Sequence, residues 1–540
     1  MKKAILYIGV LTVMLSGCIK ETFPMSDSAT AAQVGASASA LSGLVSAIPA
    51  QMCQGYLVYG EQVTEFDMAY PGMMMILDHA VGDIVDGGET GYDWYSYWSS
   101  NDYTLGPTTY RSYVPWRTMY IFVKCANDVI GSVNLEEATP EAKIALGRAY
   151  AYRAHAYLFL AQIYEWKAPT DPGVDAKYTP TNDITGLTVP IVTEATTQEQ
   201  AKANPRATRE EIYDLIMSDL EKAEQLLAEE KTTGLLPSLP VVYGLKARAY
   251  LAQEDYANAA LYADQAITAK AGKPLTQDQW ESPTTGFNNY EANKTSWMWY
   301  LSYSAETMGN LCNFVAHMSA ENTWTAYGWN VARGIPRRLY ESIPDTDFRK
   351  HSWIDPDGLA YYNYKTNRDI FTEGKKPLPP YTSLKFRPAQ GNCDTYKEGG
   401  ASQVPLMRIE EMYLIKAEGL AMSGSVSEGQ AVLESLIKTR DPEYSADAFA
   451  TPTALQAEVY RQKRIELWGE GLVLFDAKRL AAGFQNGYTG TNAQEGYRFN
   501  CSGVCPWWTF VIPQSEINGN PVLDGYNNPD PSSTVKEWTE

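Results

Sequence analysis

Three segments share one pattern that decides the fold: YAYRAHAY (150–157), YGLKARAY (243–250) and YLIKAEGL (413–420). Each copy reads tyrosine, two residues, a basic residue, alanine, one residue, a small residue, and then tyrosine or leucine. Tyrosine, alanine, and tyrosine or leucine therefore fall at i, i+4 and i+7, which places these small and large apolar side chains on one face of a helix. The pattern predicts three helices whose neighbours can pack closely.

The second copy continues through QEDY (253–256) into ANAALYADQAI (257–267), with alanines at close-contact positions. This reads as a helix, a tight turn and a second helix, and it resembles a tetratricopeptide repeat. The three copies are far apart and unevenly spaced, so the array is not tandem. The sequence predicts a mostly α scaffold of helical hairpins separated by long insertions.

Helix starts are marked by capping residues and by proline near the first turn. The marked positions are Thr139-Pro140, Thr208 with Glu211, Pro240, and Thr453 with Gln456. Residues 272–400 differ, because they hold many Pro, Gly, Asn and aromatic residues with little helical periodicity. We therefore expect a helical scaffold over 43–271 and 401–540, and a loop-rich insert over 272–400 that carries a binding site.

The N-terminus has the features of an export signal. Lys2 and Lys3 precede an apolar run that ends in LSGC (15–18), and the run is too short to span a membrane. The LSGC segment resembles a bacterial lipobox, which implies that residues 1–17 are a signal peptide and that Cys18 carries the lipid. Residues 18–42 are small and polar beyond the cysteine, as in a tether. We expect a lipid-anchored protein with a folded part over 43–540.

Composition narrows the class of ligand. The formal net charge of -20 repels nucleic acid and other polyanions. The chain has 37 Tyr and 14 Trp against 14 Phe, so its aromatic residues are mainly those with a polar group, which suit wet binding surfaces. A neutral ligand is favoured.

The C-terminal third resembles the SusD/RagB family of Bacteroidetes. The motifs that carry the resemblance are VPLMRIEEMYLIKAE (404–418), RQKRIELWGEG (461–471) with Asp476 and Arg479, and FVIPQSEI (510–517) with Asn520-Pro521. Earlier segments agree in order and spacing, namely WRTMY (116–120), Arg206-Ala-Thr208 and PDTDFR (344–349). Arg and Glu spaced in this way on helices usually form structural ion pairs.

The resemblance implies a single SusD-like domain with tetratricopeptide-like units and a ligand site in the loop-rich insert. It also implies a cell-surface, outer-membrane lipoprotein that captures an oligosaccharide or polysaccharide for a TonB-dependent, SusC-like transporter. It implies no catalysis. Neither a cofactor nor a bound metal is expected.

Two aromatic stretches provide flat rings beside amides and carboxylates, which is the combination that sugars require. They are YDWYSYWSSNDY (92–103) and the region from WMWY (297–300) to WTAYGW (324–329). Similarity to starch-binding members of the family implies ligand contacts at Trp98, Asn101, Tyr300 and Trp324. Their neighbours Trp94, Tyr95 and Tyr327 complete the predicted site. A competing interpretation is that these rings belong to the core or contact the transporter.

Other functions remain open at the level of sequence. The signatures of zinc proteases, nucleophile elbows, P-loops and dinucleotide folds are absent from the chain. A glycoside hydrolase needs only two carboxylates a few ångströms apart, and a sequence does not reveal their distance. A peptide-binding protein of the same family and a pure protein-interaction scaffold are also compatible with the sequence.

Overall fold

Helices dominate the structure, as the repeated pattern predicts. The computed structural model describes residues 34–35, 37–53, 69–87, 95, 104–282, 284–306, 313–325, 327–356 and 378–540. The helices of the N-terminal half are α1 Ala38–Cys53, α2 Ala69–Ala80, α3 Tyr110–Ile130, α4 Pro140–Tyr164, α5 Gln198–Ala201, α6 Arg209–Leu226, α7 Leu239–Ala252 and α8 Tyr256–Lys270. Those that follow up to residue 400 are short: α9 Gln277–Glu281, α10 Tyr290–Asn293, α11 Phe314–Met318, α12 Tyr327–Val331, α13 Arg337–Glu341 and α14 Tyr396–Gly399.

The C-terminal helices are α15 Ile409–Met422, α16 Val426–Ile437, α17 Pro452–Glu466, α18 Val473–Arg479 and α19 Gln514–Gly519. Single 3-10 turns occur at Phe348–Ser352, Ala389–Gly391, Pro506–Trp508 and Pro521–Leu523. Three small antiparallel sheets complete the described part: β1 Val85–Asp86 with β3 Arg333–Gly334, β2 Trp297–Ser302 with β4 Gln403–Arg408, and β5 Phe484–Gln485 with β6 Asn500–Cys501.

The long helices stack side by side in chain order. Helix α3 packs between α1 and α4, α4 packs on α6, and the row continues through α7, α8, α15 and α16. Consecutive helices α7–α8 and α15–α16 each form a hairpin, which is the unit of a tetratricopeptide-like array. The prediction of a mostly α scaffold is confirmed.

The basic residue of each repeated segment ties its helix to a neighbour. Arg153 on α4 makes a two-pronged contact with Asp219 on α6, with N···O distances of 2.7 and 2.9 Å. Lys246 on α7 pairs with Glu224 on α6, and Lys416 on α15 pairs with Asp264 on α8 at 2.7 Å. The basic position shared by the three copies is thus explained by inter-helix ion pairs.

Small residues allow the same helices to approach closely. A Cβ atom at Gly419 on α15 would lie 2.6 Å from the Tyr256 carbonyl oxygen and 2.9 Å from the Ala260 side chain on α8. Such distances are shorter than van der Waals contact, so any larger residue here would push the two helices apart. The small position of the third copy is required by packing.

Two boundaries differ from the sequence prediction. Helix α1 begins at Ala38, inside the stretch 18–42 expected to be a tether, because Leu41, Val45 and Ile48 are buried on one face. Helix α17 is capped by Thr451 and not by Thr453, since the Thr451 hydroxyl accepts the Ala454 N–H at 3.2 Å. The caps predicted at Thr139 and at Thr208 with Glu211 are confirmed.

Three arginines and two glutamates form a buried charge cluster beneath β4. Glu466 contacts Arg349, Arg408 and Arg440 at 3.0 to 3.1 Å, and Glu410 contacts Arg408 and Arg440 at 3.0 Å. All five side chains are fully buried. Burial alone would raise the pKa of Glu466, but the three arginines outweigh it and hold that pKa below its ordinary value. The C-terminal motif thus forms structural ion pairs, as its spacing predicts.

One hydrophobic cluster extends from Leu41 on α1 to Leu523 near the C-terminus. It includes the strand residues Trp297 and Trp299 and the tryptophans Trp507 and Trp508. Within the described residues, no helix is long and apolar enough to cross a membrane.

Candidate functional site

Tyr300 lies on strand β2, where the packing of its neighbours fixes its position. Trp297 and Trp299 are fully buried, and the Trp299 indole N–H donates to the Leu235 carbonyl at 3.1 Å. The register with β4 shifts on both sides of Trp299, and such a bulge changes the direction in which a side chain points. Tyr300 is only half-buried as a result.

The Tyr300 ring stacks on Tyr290, with centroids 4.1 Å apart and planes inclined by 20°. Tyr290 is itself held in place, because its hydroxyl donates to the Thr233 carbonyl at 2.9 Å and its backbone N–H donates to Gln403 Oε1 at 3.2 Å. Burial, aided by the nearby Tyr290 and Glu291, raises the pKa of Tyr300 to about 12. The Tyr300 hydroxyl therefore stays protonated at neutral pH and can both donate and accept a hydrogen bond.

Trp324 lies on a loop that is anchored by side-chain contacts. The Asn322 amide donates to the Ser319 carbonyl at 2.7 Å, which closes a tight turn just before the tryptophan. Glu321 is buried and accepts from Arg387 Nε at 2.7 Å. The loop is thus rigid where it presents its aromatic side chain.

The Trp324 indole is half-buried and packs against a glycine. A Cβ atom at Gly399 would lie 2.6 Å from Cζ3 of the indole, so only glycine allows this contact. Thr323 fastens the same region, since both its N–H and its hydroxyl donate to the Cys393 carbonyl, at 2.7 and 2.8 Å. The indole N–H of Trp324 is buried and has no hydrogen-bond partner in the part of the chain that the structure describes.

The rings of Tyr327 and Tyr95 both contact His317. The Tyr327 ring stacks on the imidazole at 4.7 Å and 11°, and the Tyr95 ring meets it edge-on at 5.4 Å and 85°. Tyr327 is half-buried, whereas Tyr95 is 0 % exposed. Tyr95 therefore lies beneath the surface and supports the other rings, in contrast to the direct contact that the sequence predicts.

Three aromatic residues, Tyr290, Tyr300 and Trp324, contact one stretch of chain, and Tyr327 follows Trp324 by three residues; we refer to these four as the aromatic cluster. Trp324 packs on Gly399, while Gln403 holds Tyr290 and Pro405 pairs with Tyr300 across the sheet. Gly399 and Gln403 are four residues apart, so their Cα atoms lie within about 15 Å.

The predicted contacts Trp94, Trp98 and Asn101 lie outside the described residues. Tyr290 and His317 were not predicted, because Tyr290 reaches Tyr300 only through the turn between α10 and β2 and no motif marks His317. The single available signal was the aromatic enrichment of the surrounding sequence.

Half-buried aromatic rings beside an accessible hydroxyl group suit a ligand that has apolar faces and polar edges. Tyr300 provides a hydroxyl and Trp324 provides a half-exposed indole ring, and the neighbours of each ring fix its position. Among the described residues, no group of three or more His, Cys, Asp or Glu side chains is placed to hold a metal ion.

Two family models match the chain. One, described as starch-binding and associating with the outer membrane, matches residues 67–251. The other, described as the SusD family, matches residues 318–530.

Individual relatives are distant in sequence and similar in structure. SusD-like protein P2 of Formosa agariphila is 23% identical over 481 residues, which cover 83% of this chain and 86% of that protein. A SusD-like carbohydrate-binding protein from Bacteroides vulgatus superposes with a TM-score of 0.68 at 20% identity, covering 90% of this chain and 97% of that one. A laminarin-binding SusD-like protein gives 0.60 at 17% identity, covering 89% and 97%.

Proposed function

Since this chain belongs to the SusD/RagB family of non-catalytic, outer-membrane-associated binding proteins, we propose that it captures a neutral glycan at the cell surface and delivers it to a TonB-dependent, SusC-like transporter. The observation that carries the proposal is the aromatic cluster. Its rings are half-exposed and fixed by their neighbours, and the Tyr300 hydroxyl is available to a ligand.

Rigid aromatic rings favour sugar binding for two reasons. The C–H faces of a pyranose stack on an aromatic ring, while its hydroxyls need donors and acceptors at the rim. The stacking of Tyr300 on Tyr290 and the packing of Trp324 on Gly399 fix these rings before any ligand arrives, so little conformational entropy is lost on binding.

Charge supports a neutral glycan over an anionic one. The net charge of -20 disfavours polyanions, whereas an uncharged polysaccharide is not repelled. Starch, named in the matching family description, and laminarin, named for one solved relative, are neutral polysaccharides. They are therefore suitable first probes.

We assign the direct ligand contacts to Trp98, Asn101, Tyr300 and Trp324, with Trp94 and Tyr327 at the edges. Trp94 precedes the buried Tyr95 in the sequence and Trp98 follows it by three residues, and Tyr95 touches the same imidazole as Tyr327. Tyr95 then acts as a support beneath the site.

The proposed location is the outer face of the outer membrane. Cleavage before Cys18 and lipidation of this cysteine would anchor the protein there, and residues 19–37 before α1 would act as the tether. Mass spectrometry of the protein isolated from membranes tests this, with a lipid-modified N-terminal peptide beginning at Cys18 as the expected result. An unmodified peptide that contains residues 10–20 would contradict it.

Affinity electrophoresis in gels that contain laminarin, soluble starch, inulin or xyloglucan tests the function. We expect retardation by at least one polysaccharide, and we expect Trp324→Ala or Tyr300→Ala to weaken it about 10-fold, or about 1.4 kcal/mol. A hydrolase would instead release reducing ends from the same polysaccharides.

The chain offers matched controls for both substitutions. Trp538 is also half-buried and packs on a glycine, Gly487. Tyr250 is also half-buried and stacked, on Tyr262 at 5.3 Å and 14°. Trp538→Ala and Tyr250→Ala should leave retardation unchanged. If they weaken it as much as the changes at Trp324 and Tyr300, the assigned site is wrong.

A further inference from the structure

Helix α3 carries a stripe of aromatic and basic residues on one face, far in sequence from the aromatic cluster. The side chains of Tyr113, Trp116, Arg117, Tyr120 and Lys124 share that face, because they occupy positions i, i+3, i+4, i+7 and i+11 of the helix. Tyr113 and Tyr120 are half-buried, whereas Trp116 is buried and supports them. The stripe forms the floor of a groove.

Two other segments provide the walls, and hydrogen bonds tie them to the floor and to each other. The Tyr120 hydroxyl donates to the Pro190 carbonyl at 2.6 Å. Asn204 and Asn520 are linked reciprocally, with Asn204 N–H to Asn520 Oδ1 at 3.1 Å and Asn520 Nδ2 to the Asn204 carbonyl at 2.6 Å. The groove is therefore preformed by three separate parts of the chain.

The groove has the size of a small-ligand site. It encloses about 660 Å³ between α3, the segment 190–204 and the segment 513–523. Ligand pockets typically occupy roughly 300–1,000 Å³. A stable protein interface is usually flatter, buries about 800 Å² on each partner and has a core poor in charged residues.

Two charged side chains in the groove have no ion-pair partner within the described ranges. Lys124 and Lys202 are neutralised by Asp128 and Glu199 at 2.6 and 2.8 Å. The exposed Arg117 and the half-buried Glu516 have no such pair. Burial raises the pKa of Glu516, and a hydrogen bond from the Trp116 indole acts in the opposite direction.

The pair of charges indicates what a ligand must offer. A carboxylate accepts hydrogen bonds from adjacent hydroxyls, a guanidinium donates to their oxygens, and the Tyr113 and Tyr120 rings can take an apolar face. One positive and one negative group favour an uncharged ligand with many hydroxyls. We propose that this groove is a second saccharide-binding site, separate from the aromatic cluster.

That the ligand is a saccharide rests on the proposed function, and a second site has a further consequence for binding. Two sites on one anchored protein can hold one polysaccharide chain together, so the second contact forms at a high effective concentration. The apparent affinity for a polymer rises, whereas the affinity of one site for a short oligosaccharide does not change.

The test compares a polymer with a short fragment of it. Wild-type protein, Tyr113→Ala and Glu516→Gln are measured against the best-binding polysaccharide by affinity electrophoresis and against its heptasaccharide by calorimetry. We expect polymer affinity to fall on the order of 10-fold in both variants, with heptasaccharide affinity at the aromatic cluster unchanged. Tyr250→Ala and Glu428→Gln are the matched controls, and thermal melting verifies folding.

The outcomes separate the two proposals. If Trp324→Ala loses polymer binding while Tyr113→Ala and Glu516→Gln keep it in full, the second site is wrong and the proposed function stands. If no polysaccharide retards the wild-type protein, both proposals are wrong. If the groove variants instead lose only association with the transporter, the groove is a protein interface and the saccharide assignment is overturned.

Discussion

The buried charge cluster and the aromatic cluster use polar groups in opposite ways. In the charge cluster, Glu466 contacts three arginines and all the side chains are removed from solvent. In the aromatic cluster, the rings are half-exposed and Tyr300 carries a protonated hydroxyl beside them. Polar groups that are buried and paired with one another stabilise the fold, whereas a hydroxyl beside half-exposed rings can bind a ligand.

The largest effect should come from breaking the charge cluster. Glu466→Ala leaves Arg349, Arg408 and Arg440 buried with too few counter-charges, which should reduce the free energy of unfolding by about 3–5 kcal/mol. Urea unfolding of purified protein measures the loss. The exposed Glu428 provides the control, and Glu428→Ala should stay within about 0.5 kcal/mol of wild type. A loss below about 1 kcal/mol for Glu466→Ala would mean that the cluster does not support the fold.

A second loss of stability should appear when the pH is lowered. Burial alone would raise the pKa of Asp476, but Lys463 at 2.6 Å and Arg479 at 2.6 Å lower it from 3.8 to about 2. Because the folded-state pKa lies below the unfolded one, this stability is present above pH 4 and is lost as the pH falls towards 2. The shift corresponds to about 2 kcal/mol.

The substitution Asp476→Asn isolates this contribution. Urea midpoints measured between pH 5 and pH 2 should fall less steeply in the variant than in wild type, because the residue can no longer take up a proton. Identical slopes would place the acid sensitivity elsewhere. Glycan binding by Asp476→Asn should be unchanged at pH 7, since the residue lies far in sequence from the aromatic cluster and packs in the scaffold.

A smaller loss, in glycan affinity, tests whether the aromatic cluster needs its rings in their present positions. Gly399→Ala would push against both the Trp324 indole and the Asn392 backbone carbonyl, since the new Cβ would lie 2.6 Å from Cζ3 and closer still to that oxygen. We expect glycan affinity to fall by about 1 kcal/mol, or about five-fold, without loss of any ring. Gly487→Ala makes a similar clash with the Trp538 side chain and should not alter affinity in the same electrophoresis. Equal losses would point to a general disturbance of the fold.

The scaffold was predictable because its signals are local. The three repeated segments, the cap at Thr139 and the capping box of Thr208 with Glu211 each lie within one or two helical turns. The start of α1 was missed because alanine and serine surround Leu41, Val45 and Ile48 and hide their helical spacing in a stretch that resembles a tether.

The aromatic cluster was predictable in composition but not in geometry. The contacts that fix it join parts distant in sequence, such as Trp324 with Gly399 and Tyr300 with β4. The sequence shows that rings are abundant near residue 95 but not which of them turn inwards, so Tyr95 was expected at the surface and lies in the interior. Burial depends on tertiary packing, which no local pattern encodes.

The smallest loss of stability should come from breaking an exposed ion pair. This test shows whether the charge cluster stabilises the fold because its charges are buried or merely because they are paired. Lys438 contacts Glu434 at 3.1 Å, one helical turn apart on α16, with 49% of the lysine side chain exposed. Solvent screens such a pair, so Lys438→Ala should change the free energy of unfolding by less than about 0.5 kcal/mol. If urea unfolding gives a loss close to that of Glu466→Ala, pairing alone would stabilise the fold and the burial of the charge cluster would not explain its role.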